Sequence, residues 1–134
     1  VFGIHVAITI VCAISMVYGQ KETERYIPLG QSPGLSQKYT LIGEIQEVDA
    51  EARSVTVRDP SGLHTVTLTD RTKIWLDRTL VKLTNLEGNY ADCEIGRKVE
   101  IQYEDHARRR FAEWVKVQLS APGEEAPSAP KNRN

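Results

Sequence analysis

At 134 residues and 15.1 kDa the chain has room for one ordinary domain, and 17 basic against 18 acidic residues leave a net charge of -1. That balance excludes a general polyanion-binding role, so nucleic acid is not expected among the partners. The charge is unevenly spread: residues 1–18 contain no Asp, Glu, Lys or Arg, and all of it lies beyond Gln20.

The opening VFGIHVAITIVCAISMVYG runs for about 19 residues, which at ~1.5 Å per residue comes close to the ~30 Å hydrocarbon thickness of a bilayer. In lipid every backbone group must be bonded within the segment, so a lone span has to be helical despite its β-branched residues. Residues 1–19 are therefore predicted to be a retained transmembrane helix, with the lipid bilayer as first partner. The rival is a cleaved secretory signal ending on the small Gly19. A processed pilin is set aside, because His5 stands where a Glu belongs and the helical pattern stops near Gly19. Gly3, Ala7, Ala13 and Ser15 are small enough for a partner helix to pack closely. His5 has two readings. It is either the axial ligand of a haem or chlorophyll-type pigment, with Gly3 and Ala7 leaving room for the ring, or a histidine that reaches the headgroups or bonds a neighbouring helix. The second is preferred, so no cofactor is expected. Cys12 in the span and Cys93 beyond it are too far apart to form a disulfide.

Residues 20–38 are rich in charge, Gly, Pro and Ser, and Pro28, Gly30, Pro33 and Gly34 forbid a continuous helix. They are predicted to be an extended linker, with Tyr26, Ile27 and Leu29 as candidate partner contacts. From residue 39 to 119 the pattern is that of strands. Residues 40–48 alternate imperfectly, and Gly43 marks a candidate bulge. Residues 54–58 alternate cleanly, turn at Asp59-Pro60-Ser61-Gly62, and return as 63–69, with His64 assigned to the Thr-rich face. After a turn at 70–72 comes a separate strand, 73–76. Leu83, Leu86, Tyr90 and Ile95 then read as one face of a short helix or as a plug. Residues 98–103 alternate perfectly, and a charged turn leads into 111–119, where Phe111, Glu113, Val115, Val117 and Leu119 share one face. Six short strands with a connector before the fifth argue for a small barrel or sandwich, with a core of Ile45, Val55, Val57, Val66, Leu68, Ile74, Val99, Ile101 and Val117. Residues 120–134, with three prolines and no large apolar side chain, are predicted to be a disordered tail.

The order Gly43-x-Ile45-x-x-Val48-Asp49, Val55-x-Val57, Val66-x-Leu68, Thr72-x-Ile74, then Ala91-Asp92-x-x-Ile95-Gly96-x-x-Val99-x-Ile101, resembles the small OB-like β-barrel domains of bacterial periplasmic and secreted proteins. Those domains carry an Ala-Asp-Leu-x-x-Gly-Asp-x-Val run before the fifth strand; here Cys93 replaces the Leu and Arg97 the Asp. The resemblance implies a mainly β fold, a small antiparallel OB-like barrel of about six strands behind one N-terminal transmembrane α-helix. It transfers no catalytic residues.

No two histidines fall at metal-ligand spacing, and there is no Cys-x-x-Cys, phosphate loop or nucleophile elbow. No metal, catalytic residue or enzymatic activity is expected. Arg108, Arg109 and Arg110 form one basic run, weighed as a nucleic-acid contact with Trp75, Trp114 and Tyr103 and read instead as a solvated tip or a contact for an acidic partner. The expectation is a non-catalytic accessory subunit of a larger bacterial membrane complex, of respiratory or photosynthetic type. Its helix lies in the inner membrane and its barrel in the periplasm, in contact with other subunits. The alternative is a membrane-tethered periplasmic module that binds a peptide, glycan or small ligand.

Overall fold

A computed structural model describes residues 23–127. The predicted span and its His5, Gly3, Ala7, Ala13 and Ser15 lie outside them, and no helix among the described residues is long and apolar enough to cross a membrane. Strand β1 (Thr40–Asp49) pairs antiparallel with β2 (Ser54–Asp59) on one side and with β5 (Lys98–Tyr103) on the other. β2 turns back into β3 (Gly62–Asp77), β3 runs parallel to β6 (Phe111–Gln118), and β6 pairs antiparallel with β5. The ring β1-β2-β3-β6-β5 is thus closed, and the two-residue β4 (Leu86–Glu87) adds to the far end of β3. Closure satisfies both edges of every long strand, which is how an isolated small sheet avoids exposed ladders.

Alternation along the strands fills the interior. All nine predicted core residues are buried, joined by Leu41, Leu76, Val115 and Leu119, with Leu86 and Tyr90 packed against them. Three details differ from the sequence reading. The β1 irregularity lies between Ile45 and Glu47 rather than at Gly43. Gly43 is needed for another reason: a Cβ there would stand 2.1 Å from the Arg58 carbonyl oxygen, so two backbones cross where only glycine fits. Residues 70–72 do not end a strand, because β3 runs through them. Thr72 Oγ1 accepts from Thr69 N at 2.8 Å and donates to Ala112 O at 2.7 Å, so a side chain carries the ladder across the register shift between Leu68 and Lys73. In β6 a shift opposite Gln102 and Tyr103 switches the facing. Ala112 is in the core and Phe111 is 37% exposed, against the expectation that Phe111 shares the face of Val115 and Val117.

The connector after β3 is two 3-10 turns, Thr79–Val81 and Tyr90–Asp92, with Leu83 and Ile95 exposed rather than plugging the barrel. The second turn is closed by a capping box, Asn89 accepting from Ala91 N and Asp92 from Asn89 N.

Residues 23–38, within the predicted extended linker, turn repeatedly and lie on the outside of β3, β6 and β5. Leu29 N donates to Asp77 Oδ2 at 2.8 Å, and Gly30 N to Glu100 Oε1 at 2.9 Å. Ser36 Oγ and Thr40 Oγ1 both donate to Glu100 Oε2. Lys116 Nζ meets Glu24 Oε1 at 2.9 Å and Ser32 Oγ at 3.0 Å, and Ser32 also donates to Glu24. Under this strap Lys116 is 1% and Glu100 0% exposed, side by side across the β5–β6 ladder. Around Glu100 and Lys116 both faces of these two strands are therefore buried, which alternation alone does not reveal. The beginning of the tail is also held: Arg97 donates to Glu124 O, Arg78 pairs with Glu125 at 3.1 Å, and Ala126 N donates to Asp92 Oδ1 at 2.6 Å.

Candidate functional site at the barrel mouth

Because β3 and β6 are parallel, the loops that precede both lie at one end of the barrel. These are the β2–β3 turn, residues 60–61, and the β5–β6 turn, residues 104–110. Between them and residues 37–41 opens a cleft of about 180 Å³ lined by Lys38, Tyr39, Leu41, Asp59, Ser61, His64, Tyr103, His106 and Arg109. Tyr103 and Leu41 are buried and form its floor.

The register explains His64. It lies opposite Val57 and keeps step with the buried Val66 and Leu68, so it belongs to the inward row at the mouth, not to the Thr-rich face. Thr56 and Thr65 pair their hydroxyls outside, 3.0 Å apart. Asp59 organises the turn: its Oδ1 accepts from Ser61 N at 2.8 Å, Ser61 Oγ at 2.6 Å, Gly62 N at 3.1 Å and His64 Nε2 at 2.9 Å. The Ser61 hydroxyl first, and His64 and the Ser61 amide with it, outweigh desolvation and hold the Asp59 carboxyl down at about 2. Asp59 is thus a carboxylate already engaged by its own turn.

Ser, His and Asp in contact invite comparison with a hydrolytic triad, and the geometry rejects it. In a relay the acid and the serine use opposite ring nitrogens. Here Ser61 Oγ and Asp59 Oδ1 both sit 2.9 Å from the same Nε2, and the serine hydroxyl is also within donating distance of the carboxylate.

The opposite wall is basic and aromatic. Tyr39 and His106 rings lie 5.4 Å apart, tilted by 54°. Arg109, at φ 47, is the member of the arginine run that lines the cleft. Arg108 faces Asp105 at 3.8 Å in the open, and Arg110 lies over the Phe111 ring at 5.3 Å. Burial raises the Tyr103 phenol, with Arg109 opposing. Arg109 Nε donates to the His106 carbonyl at 3.4 Å, and Lys38 lines the same cleft. The cleft therefore gathers two cations and two imidazoles around one committed carboxylate.

The other aromatics weighed for base stacking are covered: Trp75 and Trp114 are buried, 5.8 Å apart, with Lys116 Nζ 4.7 Å from the Trp114 ring. Of the three linker residues, Leu29 is buried against the chain's own barrel, Ile27 is half-buried and Tyr26 is exposed. Among the described residues no group of three or more His, Cys, Asp or Glu is placed to hold a metal ion. Cys93 is buried, and burial pushes its thiol up to about 12. A second, larger recess near Arg53 and Tyr90 is lined by charges that pair with one another, Arg53 with Asp70 at 3.8 Å and Lys73 with Glu87 at 3.9 Å. The basic run was visible in the sequence, whereas the cleft was not: its walls come from three segments that meet only when the barrel closes.

No protein-family model matches the chain, and no curated protein does. Among solved structures, similarity is found to a Cu(II) form of a tryptophan-to-alanine variant of CusF from Escherichia coli, at 17% identity and a TM-score of 0.40 over 60% of this chain and 91% of that one. A second is Ag(I)CusF, at 15% identity and a TM-score of 0.37 over 58% of this chain and 93% of that one. Likenesses at this level assign no ligand to the present chain.

Proposed function

We propose that this chain is a non-catalytic, membrane-tethered extracytoplasmic binding module whose barrel mouth receives a carboxylate-bearing ligand, an acidic peptide foremost. The observation that carries the reading is the convergence of Lys38, His64, His106 and Arg109 on one cleft in which Asp59 is already engaged by its turn. An incoming carboxylate completes that charge set, Arg109 offering two parallel donors and the Tyr39 and Tyr103 rings an apolar lining for its stem. The uncharged stretch of residues 1–18 supports the tether.

In an accessory subunit, the linker and the tail would be held by neighbouring subunits. Within the described residues both segments are held by the chain's own barrel, through Glu100, Lys116 and Asp77 in one case and Arg97, Arg78 and Asp92 in the other. This self-contained anchoring of residues 23–38 and 120–127 supports the tethered module.

The test is a calorimetric titration of the full-length chain in lipid nanodiscs with an acetylated, amidated Asp-Glu dipeptide. Saturable binding is expected, weakened about tenfold or more in Arg109→Ala, the loss of a charge-assisted contact being worth ~1.5–3 kcal/mol. Lack of binding, together with co-purification of the chain in a stoichiometric membrane complex, would replace this reading by the subunit one.

A further inference from the structure

We infer that the barrel does not hang free on its tether but rests on the bilayer through the loop of residues 78–85, with Leu80, Leu83 and Tyr26 set into the lipid interface. The inference relies on the proposal that residues 1–19 span the membrane. Only Gln20, Lys21 and Glu22 separate that segment from Thr23, a reach of about 10 Å at full extension. Glu24 pairs with Lys116, which lies opposite Trp75 near the end of β3, and this contact with the next one decides which end faces the membrane. Arg25 Nε and Nη2 both approach Asn85 O at 3.4 Å, while Asn85 Nδ2 donates to Arg25 O at 3.0 Å. Asn85 also closes the base of the loop, its Oδ1 accepting from Arg78 N at 2.8 Å, and Arg78 Nε donates to Thr84 O at 2.6 Å. The chain thus comes off the proposed span directly at the root of this loop.

The loop has the composition of an interfacial contact. Its sequence RTLVKLTN exposes Leu80 by 60% and Leu83 by 44%, with Lys82 exposed between them, and the neighbouring Tyr26 is 59% exposed. Apolar tips beside a basic residue and a tyrosine suit the boundary between acyl chains and anionic headgroups. Fixed turns, Lys82 at φ 58 and the 3-10 turn Thr79–Val81, let the tips be presented without an ordering cost at the moment of contact. The other end of the barrel is then turned outward: β3 runs from the mouth cleft at Gly62 to Asp77 beside the loop, a path of up to about 50 Å. The bilayer contact and the ligand cleft are at opposite ends, so seating on lipid leaves the mouth open to solution.

The test uses the full-length chain carrying Cys12→Ala, reconstituted into vesicles of phosphatidylcholine and phosphatidylglycerol. Cys93 stays, because its thiol is buried and is expected to resist labelling, and the chain with Cys12→Ala alone serves as the unlabelled control. Leu80→Cys, Leu83→Cys and, at the mouth end, Leu63→Cys are each labelled with an environment-sensitive fluorophore, and lipids with a quencher near the headgroup are added. Blue-shifted emission and loss of most of the fluorescence at positions 80 and 83, with an unshifted and unquenched label at 63, is the expected result. Co-flotation with vesicles but equal quenching at all three positions overturns the inference while leaving the tether intact. Failure to co-float removes the membrane reading and the inference with it. Lys82→Glu with label at 83 adds a check that does not depend on the apolar tips: quenching is expected to fall in phosphatidylglycerol-rich vesicles and to be unchanged without that lipid.

Discussion

Lys116 shows how much one side chain depends on its surroundings. Its ammonium is sealed between Glu24, Ser32 and the Trp114 ring, so its charge is tolerated only because the strap brings a carboxylate to it. Lys116→Ala leaves Glu24 as a buried unpaired anion and is expected to destabilise the fold by about 3–5 kcal/mol in urea unfolding. Replacing both partners by apolar residues, Lys116→Met with Glu24→Leu, is expected to recover most of that loss. Asp59 gives a second residue-scale expectation. Its folded pKa is lowered from 3.8 to about 2, so its charge contributes stability that is complete above about pH 4 and is lost as the pH falls through about 2. Protection of the Ser61 and Gly62 amides, taken against the intrinsic exchange rate at each pH, is expected to fall over that window, and this acid step is expected to vanish in Asp59→Asn.

At the scale of elements, strand and strap are built on different principles. The strands obey alternation, and their inner rows were readable because each one-residue step reverses the face. The bulges in β3 and β6 were not readable, because a bulge is an agreement between two strands, and only the partner shows which residue is extra. Gly43 is of the same kind. Gly43→Ala places a methyl group on the Arg58 carbonyl and is expected to cost on the order of 3 kcal/mol, with loss of the Ile45↔Val57 ladder in amide exchange. The strap looked like a linker because its prolines and glycines break regular structure. Those residues also allow repeated turning, and Gly30 at φ 82 sits where the strap bonds Glu100.

For the whole barrel, closure of the strand ring is expected to make unfolding a single event. Ile101 is fully buried between β1 and β6 partners, and Ile101→Asp is expected to cost several kcal/mol and abolish the cooperative melt. Cys93 reports the same transition: its thiol, pushed up to about 12, is expected to resist alkylation at pH 8 until denaturant opens the barrel, and then to react fully. A thiol that reacts well below the urea midpoint would show that the connector opens separately from the ring.

The sequence by itself determined the strand-rich class, the identity of the core residues, the β2–β3 turn and the contrast between an uncharged opening and a charged remainder. Each of these is local or periodic, and a period of two survives without knowledge of neighbours. Only the tertiary structure decided that Glu100, Lys116 and Asp77 are buried, that His64 faces the mouth, and that Arg109 rather than Arg108 or Arg110 lines the cleft. A charged residue in an alternating strand reads as solvent-facing unless something distant covers it. Among what covers these three is Glu24, 92 residues from Lys116 along the chain, and periodicity carries no information about a contact of that separation.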